Sequence, residues 1–146
     1  MKKIIIAMSE PFFWEEWINI LQENGLEVKV VKNLEELDKS AEKDKFDFAI
    51  VHSTMYGRIP KRYAEKYADV NEYIRGIMFG PPILEEKNIP YLLSFVTEKE
   101  GEEADFIIEG MIGGKAKMCI GKKHFGEFMP GEMILFLKEK LPKLFE

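Results

Sequence analysis

The sequence has little cysteine, no long apolar run and no excess of positive charge. Cys119 is the only cysteine among 146 residues, which excludes an internal disulfide and a cysteine-based metal site. The first apolar run, residues 4–8, is far shorter than the roughly 20 residues that a membrane span needs. The formal net charge is −5, whereas a phosphate backbone requires a basic surface. We therefore predict a cytoplasmic protein that binds neither membranes nor nucleic acid.

Short apolar runs alternate with segments of helical spacing along the whole chain. The predicted strands span residues 4–8, 26–31, 46–51, 91–96 and 116–121. Between them, one helix is predicted to open at Pro11 and another to be capped by Asn33 and Glu36. The last helix is predicted to open at Pro130 and to be kinked or ended at Pro142. This alternation predicts a single α/β domain over residues 1–146, with a parallel sheet covered by helices on both faces.

The middle of the chain, residues 53–88, has no motif that we can assign. Helical spacing is present at Tyr63, Tyr67, Val70 and Ile74. We predict that Gly80-Pro81-Pro82 then breaks the chain, because proline cannot continue a helix without losing a hydrogen bond.

Four strand ends carry residues that together resemble a known family. Residues 4–11 end in Met8-Ser9-Glu10-Pro11, residues 46–52 end in His52, residues 89–94 end in Ser94, and Lys123-His124-Phe125 follows the predicted last strand. In this order they resemble the CheY-like receiver domain of bacterial response regulators. The resemblance implies a doubly wound sheet of five parallel strands in the order 2-1-3-4-5, the flavodoxin-like three-layer sandwich. The stretch from His52 to Ser94 is longer than this topology requires.

The resemblance also implies a site at these strand ends, and the residues present are a degenerate version of it. Met8 and Ser9 stand where the family has an acidic pair, and His52 stands where it has the phosphate-accepting aspartate. Glu10 is the one carboxylate left, whereas magnesium prefers several carboxylate oxygens. Ser94 and Lys123 correspond to the family's remaining pocket residues. We therefore expect no bound metal, no cofactor and no enzymatic activity.

Two other interpretations of this cleft stay open. His52 is expected to be a strand-end residue that hydrogen-bonds Ser94, Ser53 or the backbone, but histidine also suits a general base or a metal ligand. His52, Ser94 and Lys123 together could hold an anion or a small molecule, with the lysine supplying the charge. This alternative function is a small-molecule-binding or catalytic flavodoxin-like domain.

Several large side chains exceed what the helix faces near them can bury. Phe12 near the first helix, and Phe128, Met129 and Phe136 near the last, are candidates for a protein interface. The resemblance places such an interface on the last two helices and the last strand. The chain ends with the last helix, so we expect no output domain. The predicted function is a phosphorylation-independent signalling module that docks either as a homodimer or on another signalling protein.

Overall fold

The computed structural model describes residues 1–10, 15–67, 69–96, 98–124 and 130–146. Its strands are β1 (Lys3–Ala7), β2 (Glu27–Val31), β3 (Phe48–His52), β4 (Tyr91–Phe95) and β5 (Cys119–His124). Its helices are α1 (Glu15–Glu23), α2 (Leu34–Lys43), α3 (Lys61–Ala64), α4 (Arg75–Glu86), α5 (Glu98–Ile112) and α6 (Pro130–Lys140). A short 3-10 helix, Pro142–Phe145, follows α6, so that Pro142 ends that helix.

The five strands form one parallel sheet in the order β2-β1-β3-β4-β5, as predicted. Helices cover both faces, which gives the three-layer sandwich. β1, β3 and β4 are almost wholly buried because they are continuous apolar runs with neighbours on both sides. β2 alternates exposed and half-buried residues before the buried Val31, because it lies at the edge of the sheet.

The two faces of the sheet carry separate apolar cores. On one face Ile5 and Ala7 of β1 pack with buried residues of α2, α4 and α5. On the other face Ile4 and Ile6 pack with α1 and α6 through Trp17, Leu21, Met133, Ile134 and Leu137. Successive residues of a strand point to opposite faces, so one apolar run supplies both cores.

The capping pair predicted for α2 is present. The Asn33 side chain accepts a hydrogen bond from the Glu36 N–H at 2.8 Å. The Glu36 carboxylate in turn accepts the Lys32 N–H at 2.9 Å. Together they satisfy backbone donors at the start of the helix, and so the local sequence fixes where α2 begins.

The predicted break at Gly80-Pro81-Pro82 is wrong, because all three residues lie inside α4 and are buried. Neither proline can donate the backbone hydrogen bond that its place in the helix calls for. The helix nevertheless continues because it packs closely on β3. A Cβ on Gly80 would lie 2.9 Å from Val51 Cγ1, and Phe79, Ile83 and Leu84 are all fully buried. Tertiary packing therefore outweighs the local propensity here.

The last strand lies three residues later than predicted. It begins at Cys119, with a register irregularity opposite Tyr91 and Leu92, so that Lys122 and Lys123 lie within the strand and not after it. β5 is half-exposed throughout because it is the second edge of the sheet. Lysine is common on edge strands. Because Lys122 and Lys123 interrupt the apolar residues, the predicted strand ended before them.

None of the helices in the described ranges has both the length and the apolar character that crossing a membrane requires.

Candidate functional site at the carboxyl ends of the strands

Three of the predicted site residues lie side by side on neighbouring strands. In the sheet register His52 of β3 is opposite Ser94 of β4, and Ser94 is opposite Lys123 of β5. Parallel strands bring their carboxyl ends to the same edge, which is where open α/β sheets place their functional sites. The structure therefore brings these three residues together at backbone level, as the order of strand ends predicts.

His52 and Ser94 are in direct contact. The imidazole Nδ1 lies 3.0 Å from the Ser94 hydroxyl oxygen, a hydrogen bond whose donor depends on the tautomer. Burial disfavours the charged imidazolium and lowers the pKa of His52 from 6.5 to about 4. At neutral pH the imidazole is therefore uncharged. Ser94 is one of the three partners that the sequence analysis left open for His52.

Met8 and Ser9 are used structurally. Met8 is 1% exposed, and its side chain belongs to the same core as Trp17 and Leu21. The Ser9 hydroxyl donates to the Lys32 carbonyl oxygen at 2.9 Å and accepts the Tyr56 N–H at 2.7 Å. These contacts tie the loop after β1 to two other loops.

The donors present do not fit a magnesium ion. Magnesium takes oxygen ligands in octahedral geometry, usually with one or two carboxylates. Here the Met8 thioether is buried in the core, Ser9 is engaged by two backbone groups, and His52 presents a neutral ring. Glu10 is exposed and supplies the one carboxylate of the predicted set. Within the described ranges, no group of three or more metal-ligating side chains occurs at any place.

Lys123 directs its ammonium group toward helix α6. Its Nζ lies 5.2 Å from the centre of the Phe136 ring, within the range of a cation–π interaction. The neighbouring Lys122 forms an ion pair with Asp105 of α5. The two lysines of β5 are thus each connected to a helix that flanks the strand.

Of the four candidate interface residues, Phe12, Phe128 and Met129 lie outside the described residues. Phe136 is half-buried, and a Cβ on Gly121 would lie 3.0 Å from its Cζ. Phe136 therefore covers β5, and its role in an interface stays a prediction. Two large apolar side chains on α5 and α6 are exposed, Phe106 (85%) and Leu135 (69%), and neither was a predicted interface residue.

The part of the unassigned middle segment that precedes α4 packs along α2 and α4. Arg62 makes two hydrogen bonds to the Asp38 carboxylate at 2.6 and 2.9 Å. Tyr63 stacks on Phe79 at 5.3 Å between ring centres, and Tyr67 lies 5.8 Å from the same ring. The spacing of Tyr63 and Tyr67 therefore reflects their shared contact with Phe79, although helix α3 ends at Ala64, before Tyr67. Tyr56 and Tyr73, two other tyrosines that precede α4, are exposed to solvent.

Comparison with solved structures shows which proteins share this architecture. A two-component response regulator from Clostridium difficile superposes with a TM-score of 0.69 and 14% identity, with full coverage of both chains. The fold is the CheY-like receiver fold. The receiver domain of the sensor histidine kinase PA1611 from Pseudomonas aeruginosa, which holds a magnesium ion in its active-site cleft, gives a TM-score of 0.66 at 12% identity, covering 97% of this chain and 98% of its own.

A third structure with the receiver fold is the BeF3-activated receiver domain of RstA from Klebsiella pneumoniae. It gives a TM-score of 0.67 at 12% identity, covering 96% of this chain and 98% of that chain. No protein-family model matches the sequence, and no curated protein is detectably similar to it. The likeness at these identities is one of fold, so the chemistry of this chain has to be argued from its own residues.

Proposed function

We propose that this chain is a receiver-like signalling module that acts by docking to proteins and does not need phosphorylation. The observation that supports this most directly is the His52–Ser94 hydrogen bond of 3.0 Å. A neutral imidazole occupies the end of β3, where the fold family has its acceptor carboxylate. An acyl phosphate can form only on a carboxylate.

The surroundings of His52 support the same proposal. A phosphoryl group brings negative charge, which a divalent cation has to neutralise during transfer. The PA1611 receiver domain holds magnesium in its active-site cleft, whereas in this chain the loop after β1 contributes a buried thioether and an engaged hydroxyl. At this edge Met8 packs in the core, and Ser9 and His52 form hydrogen bonds with neighbouring segments, which suits a docking module.

The proposal is tested by treating the protein with acetyl phosphate and Mg²⁺ and measuring the intact mass over time. We expect no phosphoryl adduct. In parallel, beryllofluoride binding is followed by ¹⁹F NMR, with the RstA receiver domain as the positive control because it has a BeF3-activated form. A stable phosphoryl adduct on this chain, or a bound beryllofluoride signal comparable with that of the control, would refute the proposal.

A second candidate function is the binding of a small anion by His52, Ser94 and Lys123. The sheet register supports it, because the three residues are adjacent on neighbouring strands. Against it, His52 is uncharged and bonded to Ser94, and the Lys123 ammonium lies over the Phe136 ring. A crystal grown in sulfate discriminates between the candidates, since an ordered anion touching all three residues favours this second one.

A further inference from the structure

Two exposed tyrosines and two exposed glutamates come together beyond the carboxyl ends of β1 and β3. Tyr56 is 39% exposed and Tyr73 is 58% exposed, while Glu10 and Glu72 are exposed carboxylates. They come from three separate segments: the loop after β1, the loop after β3 and the turn before α4. We call these four residues the aromatic–acidic patch.

Backbone hydrogen bonds hold the three segments together. The Tyr56 N–H donates to the Ser9 hydroxyl at 2.7 Å, which ties the second segment to the first. The Met55 N–H donates to the Glu72 carbonyl oxygen at 3.0 Å, which ties the second to the third. The Tyr73 N–H donates to the Asn71 side-chain oxygen at 2.9 Å and fixes the turn that carries Glu72. A surface presented on fixed backbone loses little entropy when it binds.

Glu10 and Glu72 make the surroundings of the Tyr56 hydroxyl negative. Burial, then Glu10, Tyr73 and Glu72, raise the pKa of the Tyr56 hydroxyl. The hydrogen bonds donated by the Tyr56 and Met55 N–H groups place the segments that carry these residues next to one another. The nearby cation Arg75 is turned inward, where its guanidinium donates to the carbonyl oxygens of Val70 and Gly57 at 3.1 Å each. Its Nε and one terminal nitrogen are thus engaged by the backbone of the same segment.

We propose that the aromatic–acidic patch docks a segment of a partner protein that is rich in lysine or arginine. Aromatic faces attract ammonium and guanidinium groups, and carboxylates on the same surface pair with them. Exposed tyrosines are enriched at protein interfaces. The same negative charge repels phosphate, which disfavours nucleic acid and anionic membranes as occupants. This inference rests on the proposed docking function, and the patch shares Glu10 alone with the residues predicted for the strand-end site.

The test uses a short capped peptide of alternating arginine and serine as the probe, with a glutamate–serine peptide of equal length as the control ligand. Binding is measured by isothermal titration calorimetry at low salt, and the contact surface is mapped by backbone amide shifts. We expect the arginine peptide to bind and to shift the amides of Tyr56 and Tyr73. We expect the glutamate peptide not to bind.

Variants separate the patch from general charge attraction. Tyr56→Ala with Tyr73→Ala is expected to weaken the arginine peptide about tenfold, the effect of two exposed cation–π contacts. Glu10→Gln with Glu72→Gln is expected to weaken it about fivefold, as for two surface ion pairs. The matched control is Glu42→Gln with Glu139→Gln, which changes the net charge equally at exposed positions on α2 and α6. It is expected to alter affinity by less than about twofold.

Equal affinity for both peptides would overturn the docking proposal, as would equal losses in the patch and control variants. Shifts confined to other amides would overturn it as well. These results are independent of the phosphodonor assay: a phosphoryl adduct refutes the proposed function without changing peptide binding. Failure of peptide binding, with no adduct formed, refutes the patch alone.

Discussion

Replacing Gly76 by alanine tests how closely helix α4 approaches the end of β3. A Cβ at this position would lie 1.8 Å from the His52 carbonyl oxygen and 2.8 Å from its carbonyl carbon. Carbon and oxygen atoms normally come no closer than about 3.3 Å. The start of α4 and the end of β3 would therefore have to separate by roughly 1.5 Å, and backbone on both sides leaves no flexible side chain to yield.

This separation breaks contacts on which the candidate site depends. The Gly76 N–H donates to the Ser53 carbonyl oxygen at 2.9 Å, and the Ser53 N–H donates to the Ser94 carbonyl oxygen at 2.7 Å. Gly76→Ala is therefore expected to break a buried backbone hydrogen bond and to loosen the packing of Ile77 and Phe79. Together these effects should lower the free energy of unfolding by about 2–4 kcal/mol. The measurement is urea unfolding at pH 7 followed by circular dichroism.

Gly110→Ala is the matched control. Gly110 lies inside α5, and a Cβ there would meet nothing within 4 Å. This change is expected to raise the free energy of unfolding by about 0.5–1 kcal/mol, because alanine restricts the unfolded chain and favours helix. Both variants remove one glycine, so the difference between them isolates the contact at His52. If Gly76→Ala were as stable as Gly110→Ala, the close approach of α4 to β3 would be disproved.

Two further predictions concern buried polar groups. Burial lowers the pKa of His52 from 6.5 to about 4, so between these values the unfolded chain binds a proton that the folded chain does not. Stability is then fully present above pH 6.5 and falls by about 2–3 kcal/mol as the pH drops to 4. Urea unfolding across this range should show that His52→Gln removes this part of the slope, and equal slopes in both proteins would contradict the assignment. The Thr54 hydroxyl is buried with no hydrogen-bond partner in the described structure. Thr54→Val is therefore expected to raise the free energy of unfolding by about 1 kcal/mol, and with it the melting temperature. Ser94→Ala is expected to lower the melting temperature, because it removes the hydrogen bond to His52. A Thr54→Val variant that melts below the wild type would show that the hydroxyl is satisfied in solution.

The sequence allowed prediction of the parts of the fold that local patterns determine. Apolar runs located β1, β3 and β4 to within two residues of their observed ends, because buried parallel strands have to be continuously apolar. The partly alternating residues 26–31 located the edge strand β2 equally well. The capping pair Asn33 and Glu36 located the start of α2. Strand order followed from the receiver resemblance, since the order of strands in a sheet is not encoded by the periodicity of any one strand.

The errors have a common physical cause, which is that tertiary contacts overrode a local signal. Pro81 and Pro82 lie in a helix because α4 is buried against β3. β5 was placed too early because its lysines are accommodated at an edge, where an ion pair to Asp105 and a contact to Phe136 stabilise them. These partners lie far from the lysines in the sequence, so a pattern read over a short window cannot reveal them.

For the candidate site, too, residue types could be predicted from the sequence but contacts could not. That these strand ends carry a thioether, a hydroxyl and an imidazole, and not several carboxylates, follows from residue types alone. What these groups do instead depends on distance: Met8 fills the core, Ser9 joins two loops and His52 binds Ser94. The aromatic–acidic patch was invisible to sequence analysis for this reason. Glu10 and Tyr73 are far apart in the chain and meet only because the segment after β3 folds back over the end of β1, where the Ser9 hydroxyl holds it. Ser9, whose hydroxyl is engaged by two backbone groups, thus helps to hold together the surface that we propose for docking.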